Sequence, residues 1–265
     1  MFFFSFDDHT SVLVALPKYL FETRFKNPTN PHNAPYQYAF RTQLPFFEHI
    51  RQFPERLRVF NSAMTVQRAG RGEDWFKFFP VESTISKNFP SDDKDAVLLV
   101  DVGGGVGHDL KAFKARFPEL PGRLVLQDLP QVIENIATIP DGIEPLEHDM
   151  FTPQPIQNAR AYYLRTVLHD WPDSYCRDIL KNITSAMGVT SRLLLNECVL
   201  AETGNPLFPA QLDISMMMHY GSMERSRNQW GTLLEGVGLE IVKVHAAREA
   251  RPGSESLIEA MKKVR

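Results

Sequence analysis

The segment VDVGGGVG, residues 100–107, has the residue types of a nucleotide-binding turn. Glycines let the backbone turn tightly and approach a ligand closely. Asp128 ends the next predicted strand, where its carboxylate could accept both hydroxyls of a ribose. Together the glycines and the acid predict a site for an adenosine-type ligand, NAD included. The alternative is a tight turn that binds no ligand.

Two features of this turn favour S-adenosylmethionine over NAD. The third glycine of the G-x-G-x-x-G pattern is missing, since position 108 is His. Asp101 stands in the strand just before the glycines, where it would repel a pyrophosphate but attract the ammonium of a methionine moiety. The other interpretation of Asp101 is a solvated carboxylate at a strand end.

A second group of reactive side chains centres on His169-Asp170-Trp171, beyond a predicted strand that ends near Val167. Ligands of open α/β sheets bind along this edge, and a His there could take a proton from a phenol or another hydroxyl. Methyl transfer needs little else than alignment of the reacting atoms. Glu197, predicted to end the fifth strand, and Glu224 could hold the imidazole. Alternatively, His169 is an ordinary loop residue and Glu197 pairs with a surface lysine.

The elements that must position these residues alternate from Val97 onward. The predicted strands are VLLVDVG, RLVLQDL, IEPLEHDM, AYYLRTVL, SRLLLNECVL, LEIVKVHAA and SESLIEAMKK, and the predicted helices are HDLKAFKARFP, QVIENIAT, DSYCRDILKNITSAM and SRNQWGTLLEGVG. The Arg-Pro-Gly joint of the last two strands is too short for a crossover, so they should be antiparallel. The pattern predicts an α/β, Rossmann-like fold with a mostly parallel seven-stranded sheet and an antiparallel C-terminal hairpin.

Residues 1–90 are rich in aromatic residues and prolines. We expect helices joined by turns at 27–31 and around Gly70 and Gly72, with Pro54 breaking or starting a helix. The predicted organisation is a helical linker or lid over 1–90 and a catalytic domain over 91–265.

Composition excludes several classes of function. The net charge is -3 and the sequence pI is about 6.2, so no basic surplus points to nucleic acid or to a membrane surface. No apolar run suits a membrane span, and the start MFFFSFDDHTSV lacks the positive region of a signal peptide. Two cysteines without a pairing pattern indicate a reducing compartment, hence the cytoplasm. No cluster with metal-ligand spacing is seen.

The motifs VDVGGGVG, LQDLP, HDMF, LRTVLHDWPD, LLLNECVL and DISMMMHYGSMERS together resemble the plant and fungal O-methyltransferases of phenolic and polyketide metabolites. The resemblance runs from about residue 17 to the end, and PYQYAF and FNSAM resemble the fungal branch. It implies a class I methyltransferase fold, S-adenosylmethionine as cofactor, S-adenosylhomocysteine as product and a small-molecule acceptor.

The resemblance also implies roles for individual residues. His169 would be the general base, oriented by Glu197 and Glu224. Beside Asp101, the cofactor would meet Gly103, Gly105, Asp128, Leu129, Asp149, Met150, Phe151, Arg165 and Trp171. The acceptor would meet Asn61, Met64, Asp170 and Met216, although plain core packing is an equal explanation for the methionines.

This sequence departs from the family pattern in three places. We expect it to lack the family's N-terminal dimerisation domain and to keep only the linking helices, through which it could form a homodimer or a heteromer. GSMERS replaces a GGKERT-like loop around Glu224, and His148 stands where a glycine is common.

Three functions therefore remain open at this point. The leading one is methyl transfer to oxygen. Some fungal relatives instead keep the cofactor for dehydration or pericyclic chemistry, but these tend to lose the His that stands here at 169. A third alternative is a non-catalytic partner subunit of another methyltransferase.

Overall fold

A computed structural model describes residues 9–69, 73–247 and 253–263, and the fold and the site are those of these ranges. Their centre is a mixed β-sheet. The strands are β1 (Val97–Val102), β2 (Arg123–Asp128), β3 (Ile143–Glu147), β4 (Ala161–Arg165), β5 (Arg192–Leu200), β6 (Arg225–Ser226), β7 (Leu239–Ala246) and β8 (Glu255–Lys262).

The strand order confirms the predicted fold class. Seven strands lie in the order β3-β2-β1-β4-β5-β8-β7, and the two-residue β6 pairs with β5 beside them. The first five of these are parallel, whereas β8 is antiparallel to both β5 and β7. All six residues of β1 are buried, as expected for a parallel strand covered on both faces.

Helices precede the sheet and cover it. They are α1 (Thr10–Glu22), α2 (Pro35–Phe40), α3 (Phe46–Arg51), α4 (Pro54–Ala69), α5 (His108–Arg116), α6 (Pro130–Ile133), α7 (Asp173–Ala186), α8 (Leu207–Tyr220) and α9 (Arg227–Glu235). Pro54 starts a helix, where its missing N–H costs no hydrogen bond. No helix within the described ranges is both long and apolar enough to span a bilayer.

Two elements differ from the sequence prediction. The helix expected over QVIENIAT is a single turn, α6, none of whose side chains is fully buried, although Ile133 packs partly buried against the core. Helix α8 was not predicted. Its own apolar residues are distributed around the helix, so its sequence lacks the one-sided apolar pattern by which helices are usually recognised.

Two apolar layers cover the faces of the sheet, and one of them includes residues from before β1. Trp75 stacks on Phe113 and Tyr163, and Phe79 and Ile85 are buried in the same layer. This packing supports grouping residues 75–89 with the sheet. The predicted boundary between a helical segment and a catalytic domain at residue 90 stays a proposal. The predicted turn around Gly70 and Gly72 lies outside the described residues.

Helices α1 to α4 form a third apolar cluster together with α8. Its buried members are Val12, Tyr36, Phe46, Ile50, Phe60, Met216, Met218 and Tyr220. Because α8 leads directly into the loop before β6, this cluster connects the N-terminal helices to the region of Glu224.

Candidate active site

The glycine turn joins β1 to α5. Gly103 and Gly105 have φ values of +71° and +59°, a left-handed conformation that disfavours other residues. A Cβ added at Gly104 would lie 2.6 Å from the carboxylate of the buried Asp101, whereas one at Gly105 would meet nothing within 4 Å. The turn is therefore closed towards Asp101 and open at Gly105.

Asp128 faces this turn from the end of β2. Its carboxylate accepts hydrogen bonds of 2.8 Å from the backbone N–H groups of Gly105 and Leu129. Burial raises the pKa of Asp128, and these two hydrogen bonds and the charge of Arg51 oppose the rise. A carboxylate has about four lone-pair positions, so two bonds leave it able to accept the hydroxyls of a ligand.

The segment after β3 lies against the turn that carries Trp171. Asp149 accepts the backbone N–H of Phe151 at 3.0 Å, and the Phe151 ring meets Trp171 edge-on with centroids 4.8 Å apart. The carbonyl of Met150 accepts a hydrogen bond from Asn182. Asp149, Met150 and Phe151 are three of the four residues expected to frame an adenine, and the fourth, Leu129, follows Asp128 directly; their contact with an adenine stays a prediction.

Arg165 occupies the end of β4. Its guanidinium donates to Asp109 at 2.8 Å and to Glu255 at 2.6 Å, and Tyr163 donates to the other oxygen of Asp109. Arg165 thus joins the first turn of α5 to β8. Its contact with a cofactor stays a prediction.

His169 is buried in a short 3-10 helix, Leu168–Asp170, beyond the end of β4. Its Nδ1 lies 2.8 Å from Glu224 Oε1, and because a carboxylate oxygen accepts, Nδ1–H is the donor. This leaves Nε2 as the atom that can take up a proton. The glycine turn is adjacent, since a Cβ at Gly103 would lie 3.1 Å from the Val167 side chain.

Three carboxylates determine the basicity of this imidazole. Burial lowers the pKa of His169, but the negative charges of Glu224, Asp170 and Glu197 outweigh burial and raise the pKa to about 10. The closest of them, Glu224, is itself fully buried, and no described residue is hydrogen-bonded to its Oε2.

Glu197 has a different position from the one expected. It lies inside β5, which continues to Leu200, and its Oε1 accepts the backbone N–H groups of Val167 at 3.1 Å and Leu168 at 2.9 Å. Burial, and less strongly Glu224, raises the pKa of Glu197 to about 7, against the opposing charge of His169. Glu197 therefore holds the backbone that leads into His169, while Glu224 bonds the ring.

The residues expected around an acceptor lie in three places. The Asp170 carboxylate is 3.5 Å from His169 Nε2. Asn61 and Met64 lie on α4 with exposed side chains. Met216 packs within the aromatic cluster of the N-terminal helices. The structure thus brings Asp170 to the imidazole, and acceptor contacts by the other three stay predictions.

Arg225 was missed by the reasoning from sequence. It follows Glu224 directly, and its guanidinium is buried against the turn that carries His169. An arginine beside a suspected catalytic acid was the only signal in the sequence. Among the described residues, no three His, Cys, Asp or Glu side chains are arranged to hold a metal ion.

Comparison with known proteins identifies a family and a set of structures. A family model described as an O-methyltransferase domain matches residues 24–240. Demethylsterigmatocystin 6-O-methyltransferase of Aspergillus flavus is 44% identical over 236 residues, which are 88% of this chain and 59% of that protein. The chain thus spans less than two thirds of the length of this relative.

Two solved structures share the fold over 98% of this chain and 66% of theirs, each at 32% identity. One is described as a pericyclic reaction enzyme and superimposes with a TM-score of 0.91. The other is LepI in complex with SAM, with a TM-score of 0.90.

Proposed function

Because this chain belongs to the O-methyltransferase family, we propose that it transfers a methyl group from S-adenosylmethionine to a hydroxyl of a small phenolic or polyketide-type molecule. The observation that carries the proposal is the buried His169–Glu224 pair beside the glycine turn. This arrangement places a base that could take a hydroxyl proton next to the proposed site of the methyl donor.

The residues around the glycine turn fit S-adenosylmethionine. The turn is open at Gly105, Asp128 faces it from β2, and the buried Asp101 lies beneath Gly104. Asp128 would hold the ribose, and Asp101 would attract the ammonium group. When bound, the cofactor supplies a methyl group on a positively charged sulfur. The related LepI structure contains SAM, which supports the same assignment here.

His169 would take the proton of the acceptor hydroxyl at Nε2. Glu224 holds Nδ1–H and stabilises the imidazolium that forms. The neighbouring carboxylates raise the pKa of His169 to about 10, so its neutral imidazole is a stronger base towards a phenol than that of a free histidine. Since the neutral imidazole is the base, the rate should rise with pH towards this value.

The test is methyl transfer from labelled S-adenosylmethionine to a panel of phenols that includes demethylsterigmatocystin. We expect His169→Ala to slow transfer by about 10²–10⁴-fold, the usual effect of losing a general base, with cofactor binding intact. His245→Ala is the matched control, because His245 is also buried and paired with a carboxylate, 2.9 Å from Glu259. Full activity of His169→Ala would contradict the proposal.

A second candidate function is a cofactor-assisted pericyclic or dehydration reaction. The similarity to a pericyclic reaction enzyme, with a TM-score of 0.91, favours it. Mass spectrometry separates the two, because a rearrangement adds no methyl group to the product. Cofactor binding without any reaction would instead support a non-catalytic partner subunit.

We also propose self-association through α1. Val12 and Tyr19 face the chain's own core, while Val14 and Phe21 on the opposite side, and the following Phe25, are more than 70% exposed. Apolar surface left in water costs about 25 cal/mol per Å², which favours covering it with a second copy or another chain. A strictly monomeric species in light scattering at high concentration would contradict this proposal.

A cytoplasmic location is proposed as well. Its support is that Cys176 and Cys198 are both buried and are not joined in a disulfide. Fractionation of the producing cells would test it.

A further inference from the structure

We propose that Arg225 is a positioning residue that fixes the backbone of the His169 turn, residues Leu168–Trp171, and thereby the direction of the imidazole. This inference rests on the proposed function.

Arg225 binds the two carbonyls that flank His169. Its Nη1 donates to the carbonyl of Leu168 at 3.0 Å, and its Nη2 donates to that of Trp171 at 2.9 Å. The guanidinium is a rigid planar fork, so two bonds from its two ends define the distance and angle between the carbonyls. A point charge such as an ammonium could not do this.

The guanidinium is itself fixed in place. Nε and Nη2 both donate to one oxygen of Asp173, at 3.0 and 2.8 Å, and the group lies 5.1 Å from the centre of the Trp230 ring. Only 1% of the Arg225 side chain is exposed, whereas 46% of the Asp173 side chain is. The charge of the buried arginine is thus balanced from the protein surface.

Two neutral side chains also donate to the same carbonyls, and the backbone N–H of Trp171 donates to the carbonyl of Leu168 at 3.2 Å. Ser222 donates to the Trp171 carbonyl at 2.7 Å, and the single S–H of Cys176 is shared between two carbonyls, with Sγ 3.1 Å from that of Trp171 and 3.2 Å from that of Leu168. Burial raises the pKa of Cys176 to about 12, so it remains a thiol and a donor. The carbonyls on either side of His169 are thus held by side chains from α7, β6 and the preceding loop.

Two consecutive residues hold His169, one through its ring and the other through the adjoining backbone. Glu224 bonds the imidazole ring, and Arg225 bonds the backbone that carries it. The pairing of β6 with β5 at Val199–Arg225 fixes the backbone of Arg225, and Glu224 is the residue directly before it. Loss of the fork should let the turn shift and should misalign Nε2, while the cofactor residues of β1 and β2 stay in place.

The primary variant is Arg225→Lys, which keeps the charge and loses the fork. We expect kcat to fall by up to about 10²-fold, the effect of a misplacement of roughly 1 Å, with KM and cofactor affinity unchanged. The NMR signal of the His169 Nδ1 proton should broaden or shift, and the pKa of His169 should change. Arg192→Lys is the control, since Arg192 also pairs with a carboxylate, that of Glu259 at 3.0 Å, but lies at the opposite end of β5.

A second variant allows the proposal to be tested even if Arg225→Lys does not fold. Asp173→Asn alters a half-exposed side chain and removes the charge that anchors the guanidinium, so it should produce a smaller change of the same kind. If Arg225→Lys lowers Tm but leaves kcat and the His169 signal as in the wild type, the positioning role is overturned. An unchanged His169 signal in Asp173→Asn, should Arg225→Lys not fold, overturns it too.

The readouts separate this inference from the proposed function. If the wild-type protein methylates nothing, the proposed function fails, but the His169 proton signal still shows whether Arg225 positions the ring.

Discussion

Replacing Glu224 by glutamine removes the charge beside His169 and keeps the shape of the side chain. The amide oxygen can still accept from Nδ1–H at the observed 2.8 Å. A hydrogen bond to a charged group is worth about 1.5–3 kcal/mol and a neutral one about 0.5–1.5 kcal/mol, so the amide gives up roughly 1–1.5 kcal/mol. One pKa unit corresponds to about 1.36 kcal/mol, and the expected change is therefore a fall of about one unit in the pKa of His169. The value should stay above that of a free histidine, because Asp170 and Glu197 still raise it.

The pH dependence of the rate should show the same shift. If neutral His169 is the base, the acid limb of kcat against pH moves to lower pH in Glu224→Gln. The maximal rate should fall, because the weaker base forms an imidazolium that no longer has a charged partner at Nδ1. The pKa itself is measured by NMR titration of the ring, which needs no substrate.

Protein stability provides an independent check of the sign. The pKa of folded His169 is raised above the usual 6.5, so the pair stabilises the fold fully below pH 6.5. That contribution is lost as pH rises towards about 10. The loss of unfolding free energy in Glu224→Gln should therefore be largest at low pH and shrink above neutrality.

A matched control is available in the same chain. Glu259→Gln removes a carboxylate 2.9 Å from the buried His245, in the pair of β7 and β8. It should leave the kcat profile and the His169 titration unchanged. The reasoning is refuted if the pKa of His169 is unchanged or higher in Glu224→Gln.

Two further predictions concern the cofactor side of the site. Asp128→Ala should weaken binding of S-adenosylmethionine by about 1.5–3 kcal/mol in calorimetry, the value of hydrogen bonds to a charged group. Binding of NAD instead would refute the assignment. Gly104→Ala should abolish cofactor binding, because its Cβ would lie 2.6 Å from the Asp101 carboxylate. Gly231→Ala, in α9 with nothing within 4 Å, should bind normally; equal binding by both variants would show that the turn adapts.

The sequence by itself determined the fold class. The strands β1, β2, β4 and β5 each contain a run of at least three apolar residues, the pattern typical of parallel strands that are buried on both faces. The glycine turn and Asp128 could also be predicted from the sequence, because a turn with positive φ values needs glycines and an acid at the end of a strand is visible in the neighbouring residues. The short joint of the last two strands was enough to predict their antiparallel pairing.

Contacts between elements, and the helices that depend on them, were harder to predict from the sequence. Helix α8 is apolar on all sides because it packs against both the N-terminal helices and the His169 turn, and no local pattern reveals two partners. The segment over QVIENIAT has helical spacing, and Ile133 and Ile136 pack partly buried against the core, yet only one helical turn forms there.

The division of labour around His169 was decided by tertiary structure alone. Sequence placed Glu197 and Glu224 near the base as equal partners. The folded structure directs Glu197 to the backbone of residues 167–168 and Glu224 to the ring. Arg225 gained its role in the same way, because the two acceptors that flank His169 are main-chain carbonyls, and every residue type has one. Residue types thus specified which groups could do the chemistry, and three-dimensional packing specified which atoms they reach.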